Sequence, residues 1–151
     1  MIDIRNRRQV FELLAHLQPE TPRKFGKLSP QGMIEHLAHT IQFSNGNVTL
    51  PLMIDAQLAA KVKAYTVESH LEFKPGFMSP VMPPEPPPLR LAGLTESINW
   101  LRQELLDFDT YFQLHPSIKV MHPAMGELSY FEQIICHSKH FTHHFKQFGL
   151  L

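Results

Sequence analysis

The sequence predicts an all-α fold, a bundle of four main helices, and three observations carry that prediction. Apolar residues recur at helical spacing in four segments, 3–17, 29–44, 95–113 and 130–148. Capping residues stand at the boundaries: Ser29-Pro30, Thr95 and Ser129 at starts, Asn45-Gly46 and Gly149 at ends. Between the second and third segments, Met78 to Arg90 (MSPVMPPEPPPLR) holds six prolines, which continue neither a helix nor a sheet ladder and so form a long crossover that wraps the bundle. A chain of 151 residues is long enough for one domain with a real core, 1–151, and too short for two comfortable ones.

Taken in order, Asp3 to Leu17 places Ile4, Val10, Phe11, Leu13, Leu14 and Leu17 on one face of a helix and Arg5, Arg7, Arg8 and Glu12 on the other. His16 reads as a surface or helix-end histidine. Gln18 to Leu28, with Pro19, Pro22 and Gly26, is a loop. Ser29 caps the second helix, and Pro30 occupies the first turn, where its missing N–H is not needed. The buried stripe of this helix is Met33, Leu37, Ile41 and Ser44; His36 lies at its edge and His39 further out. Ile54 to Lys63 reads as a short helix and Tyr65 to Phe73 as an extended segment. The third main helix starts at Thr95, ends near Gln113, and points Ile98, Leu101, Leu105, Phe108 and Phe112 inward with Glu96, Arg102, Glu104 and Asp107 outward. Trp100 reads as packing or a pocket wall. Leu114 to Leu128, with Pro116, His122-Pro123 and Gly126, is a loop into the last helix.

That last helix carries the chemistry. Ser129 followed by Glu132 is a capping-box pair, and four of the ten histidines fall between His137 and His144. At roughly 100° per residue His137, His140 and His144 project within about 60° of one another, beside the stripe Ile134, Phe141, Phe145 and Phe148, whereas His143 points elsewhere. Residues four apart lie one turn above each other, so His140 and His144 can direct two imidazole nitrogens at one divalent ion. A third ligand must come from the edge of another helix's buried face, and His36 is the best placed. The competing reading of His36 is a partly buried histidine satisfied by a carbonyl or carboxylate.

Composition removes several function classes. There are 14 basic and 14 acidic residues, balanced and without a basic run, which favours neither nucleic acid nor an anionic membrane as a partner. The lone Cys136 excludes an internal disulfide framework and cysteine-rich zinc sites, and agrees with a reducing cytoplasm. The first 17 residues do not read as a secretory signal, and no apolar run approaches a membrane span. The expectation is a cytoplasmic protein.

The motif His140-Phe-Thr-His143-His144-Phe-Lys-Gln147, joined by His36 in SPQGMIEHLAHT, resembles the HxxxHxxQ ending of the DinB-like (YfiT-like) metalloenzyme superfamily. Gly26-Lys-Leu-Ser-Pro30, His122-Pro123 and Gly126-Glu-Leu-Ser129 resemble one branch of it. The resemblance covers nearly the whole chain. It implies a four-helix bundle that associates into homodimers, with nickel or zinc held by His36, His140 and His144. It also implies a small-molecule substrate and either thiol-dependent S-transferase chemistry, using a low-molecular-weight thiol as cofactor, or hydrolysis. Two positions depart from the pattern: Lys146 stands where a glycine is usual, and Phe145 where an arginine is.

Three imidazoles leave coordination positions for water or a thiolate. No HExxH-type carboxylate accompanies them; Glu35 and Glu132 are the nearest in sequence and read as solvated or capping. His137 reads as a second-shell hydrogen-bond partner or an alternative ligand, and His122 as a residue able to reach the site. The alternative function is a non-enzymatic helical binding or scaffold protein with a structural metal or none. A nucleophile elbow is missing, and Cys136 reads as a packed core residue.

Overall fold

A computed structural model describes residues 1–151. Its elements are α1 (Arg7–Leu14), α2 (Pro30–Gln42), α3 (Ala56–Lys63) with a π-helical turn (Ala64–Glu68), α4 (Leu94–Leu114), β1 (Val120–His122), β2 (Gly126–Leu128) and α5 (Tyr130–Gln147). The chain is mostly helical. No helix is long and apolar enough to cross a membrane.

Local chemistry explains most boundaries. Ser29 Oγ accepts from the Gly32 N–H at 3.0 Å, Asp55 Oδ1 from the Leu58 N–H at 2.9 Å, and Asn6 Oδ1 from the Gln9 N–H at 3.1 Å. At α5 the capping box is complete, with the Ser129 N–H donating to Glu132 Oε2 at 2.8 Å and the Glu132 N–H to Ser129 Oγ. The same helix ends in a Schellman arrangement: Gly149 sits at φ +69°, and the Leu150 N–H donates to the Phe145 carbonyl at 2.9 Å.

Four sequence expectations are corrected. Helix α4 is capped by Gly93, not Thr95; the Ser97 hydroxyl donates to the Gly93 carbonyl at 2.8 Å. Helix α1 is shorter than 3–17 because its flanks, Ile2, Ile4 and Leu17, bury themselves as irregular chain. The start of the 65–73 segment is the π-turn, whose Ser69 N–H reaches back to the Ala64 carbonyl at 3.0 Å and whose carbonyls at Ser69 and Tyr65 accept from Lys139 Nζ on α5. Residues 120–128, expected as loop, form an antiparallel hairpin pairing Val120 with Leu128 and His122 with Gly126.

The core lies where α2, α4 and α5 meet the N-terminal segment, and its largest fully buried side chains include Phe108, Phe141, Phe145, Ile4, Met33 and Leu101. Glu104, expected outward, is 5 % exposed and accepts from Trp100 Nε1, Gln42 Nε2 and Asn45 Nδ2 at 2.6–2.7 Å and from Asn47 Nδ2 at 3.0 Å. Those four donors make burial of the carboxylate tolerable, and they fasten the end of α2 to α4.

Candidate metal centre

Helices α2 and α5 bring His36, His140 and His144 together across a sequence gap of more than one hundred residues. Burial of the α2 stripe turns His36 toward α5, and the stacking of residues four apart sets His140 beneath His144. His36 Nε2 lies 2.8 Å from His140 Nε2, which lies 3.0 Å from His144 Nε2. All three ligand atoms fall within 4.8 Å of one another, close enough to hold one metal ion.

The outer nitrogen of His144 settles that ring's tautomer. The Gln147 amide NH₂ donates to the Phe25 carbonyl at 2.7 Å, so its Oε1 faces His144 and accepts the Nδ1–H at 2.8 Å. The His144 proton is thereby on Nδ1 and its Nε2 lone pair points into the cluster. Thr40 Oγ1 donates to the Leu37 carbonyl at 2.9 Å and lies 3.5 Å from His140 Nδ1, at the outer limit of a hydrogen bond. The His144 Nε2 lone pair faces His140 Nε2 at 3.0 Å, where it is placed to accept a proton or to bind a cation.

Electrostatics hold the rings neutral. Burial pushes His36 down to about 4, with His39 and His143 acting in the same direction. Burial likewise lowers His140 and His144, with His144 and His36 adding to the shift at His140 and His36 at His144; the Gln147 hydrogen bond opposes the shift at His144. Neutral imidazole is the ligating form.

The other sequence candidates are placed as follows. His137 is not a ligand: its Nε2 pairs with Ser44 Oγ at 2.7 Å, its Nδ1 is buried without a protein partner, and burial, then His122 and Arg7, push it to about 3. His122 lines the same cavity as the trio, accepts the Ala124 N–H on Nδ1 at 3.1 Å, and is pushed by burial to about 4. His143, expected to point elsewhere, also lines that cavity, its ring 5.2 Å from Phe25 and its Nδ1 donating to the Phe73 carbonyl at 3.3 Å. His39 rests on Phe43, and His16 is exposed.

Neither nearby carboxylate is free to act as a base. Glu35, expected to be solvated, is 6 % exposed and accepts from the Arg90 and Leu91 N–H groups, Gln31 Nε2 and Ser97 Oγ. Burial raises its carboxyl pKa, and those four hydrogen bonds outweigh burial and hold it below the ordinary value. Glu132 serves the capping box and an ion pair with Lys63. Burial pushes the Cys136 thiol up to about 12, which makes it an inert packing residue.

Sequence reasoning from spacing missed the partners that orient the ligands. Thr40 is four residues after His36 and Gln147 three after His144, so both lie on the ligand faces; the helical period alone is the signal that finds them. Gly26 gave no such signal. It adopts φ +74°, and a Cβ there collides with the Gln147 amide. Comparison with protein-family models, with curated proteins and with solved structures returned no match, and the reading of the site rests on its geometry.

Proposed function

We propose that this protein is a metal-dependent enzyme of the DinB-like kind, a four-helix bundle whose His36, His140 and His144 bind one divalent ion, zinc or nickel. The observation that carries the reading is the convergence of the three Nε2 atoms, with the His144 lone pair turned inward by Gln147. Metal–nitrogen bonds of about 2.0–2.1 Å at tetrahedral angles set ligand nitrogens about 3.3–3.4 Å apart, so an ion entering between these rings would spread the 2.8 and 3.0 Å contacts by a few tenths of an ångström.

Two features favour a catalytic over a structural ion. The cluster of potential ligands holds three side chains, not four, and all three line a cavity of about 450 Å³. A divalent ion there supplies Lewis acidity, polarising a carbonyl and lowering the pKa of bound water toward about 7. The residues do the rest. Gln147 fixes the orientation of His144, Phe25, Phe73 and residues of the proline-rich strap line the cavity, and Glu35 fastens the end of that strap to α2. Hydrolysis of an activated carbonyl compound is the reaction class this supports; transfer to a low-molecular-weight thiol is the second.

Elemental analysis of untagged protein purified without added metal tests the proposal. About one zinc or nickel ion per chain, absent from His140→Ala, is the expected result. Protein that is metal-free and cannot be loaded at stoichiometric zinc or nickel overturns it.

A further inference from the structure

The cavity above the three histidines has an unusual chemical inventory for a site expected to handle charged thiols. Apart from imidazoles, its lining carries two side chains of the charged types, Lys27 and Glu85, and they are paired with each other, with Lys27 Nζ also 3.3 Å from the Pro84 carbonyl. The remaining wall is largely apolar. Phe73 and Phe77 stack face to face with centroids 4.4 Å apart and planes 4° from parallel, backed by Tyr65 at 5.8 Å from Phe77. Phe25 and Phe43 also line it, as do the strap residues Met78 and Met82, whose thioethers adapt to irregular shapes.

We infer that the cavity takes an uncharged, largely apolar small molecule, an aryl or branched hydrocarbon body carrying one oxygen-bearing head toward the histidines. The inference deepens the metal-enzyme reading and rests on it for the orientation of the head. A volume of about 450 Å³ falls inside the ~300–1,000 Å³ range of small-molecule sites. Glutathione and related thiols carry carboxylates that need cationic partners on leaving water, and the lining offers only the engaged Lys27. Between the two chemistries proposed above, this favours hydrolysis of a neutral ester or amide.

The test uses probes sharing one metal-binding head. Acetohydroxamate, benzohydroxamate and 4-carboxybenzohydroxamate are titrated calorimetrically into zinc-loaded protein, and the neutral fluorophore N-phenyl-1-naphthylamine into metal-free protein. Benzohydroxamate should bind at least about tenfold more tightly than acetohydroxamate, and the added carboxylate should cost at least about tenfold. Phe77→Ala and, independently, Met82→Ala should narrow the first ratio while leaving acetohydroxamate affinity unchanged. Equal affinities for the three hydroxamates, or tightest binding by the carboxylate, overturn the inference and leave the metal reading standing. If zinc does not load, the metal reading fails by itself and the fluorophore decides: saturable one-to-one binding weakened by Phe77→Ala sustains the apolar cavity, and no binding overturns it.

Discussion

Gln147 holds two partners at once: its oxygen accepts from His144 Nδ1 and its NH₂ donates to the Phe25 carbonyl. Gln147→Leu should therefore weaken zinc affinity by about 10–100-fold in a competition titration with a chelator, with little change in helix content. Gly26→Ala should weaken zinc binding as well, because the new methyl displaces the same amide and φ +74° disfavours any Cβ. His122 and His137 make a separate prediction about pH. Their folded values, about 4 and about 3, lie below the ordinary 6.5, so below that pH the unfolded chain takes up protons that the folded chain refuses. Stability from these two groups is complete above pH 6.5, falls as pH drops, and is lost once pH has passed through about 4 and about 3. Each contributes a slope of about 1.4 kcal/mol per pH unit in that window, and the trio acts in the same direction in metal-free protein. Urea midpoints of metal-free protein should fall steadily between about pH 7 and 5, and a flat profile contradicts buried neutral imidazoles.

At the scale of elements, α5 depends on its first turn. Ser129→Ala removes the acceptor of the Glu132 N–H and should cost about 1 kcal/mol in denaturant unfolding, read from a shift in midpoint at constant slope. The proline-rich strap depends on α2 through Glu35. Glu35→Ala leaves the Arg90 and Leu91 N–H groups and the Ser97 hydroxyl without their acceptor, a loss of about 1–3 kcal/mol, with faster amide exchange at Arg90 and Leu91 as the local signature. The elements that the sequence made legible are those with strong local chemistry. Ser29-Pro30, Ser129 with Glu132, and Gly149 act within one turn of backbone, and the core stripes of α2 and α5 follow one period. Thr95 misled because the helix is capped two residues earlier, at Gly93, where the Ser97 hydroxyl bonds both the Gly93 carbonyl and Glu35 of α2. Glu104 misled because its four donors come from both α2's end and its own helix, which no single-helix period reports.

For the whole molecule, a metal held by the trio would join α2 to α5 and would bind the folded chain in preference to the unfolded one. Zinc at about one hundred times its Kd should raise folding stability by about 2.7 kcal/mol, visible as a rise in Tm that His36→Ala abolishes. The sequence by itself determined the helical class, the boundaries of α2 and α5, and the three histidines nominated as ligands, because period and capping are local properties of the chain. It could not determine the convergence of their Nε2 atoms, the tautomer that Gln147 imposes on His144, or the cavity lined by a strap distant in sequence. Those depend on how α2, α5 and residues 73–87 pack in three dimensions, where each side chain's environment is made by residues that no local spacing relates to it.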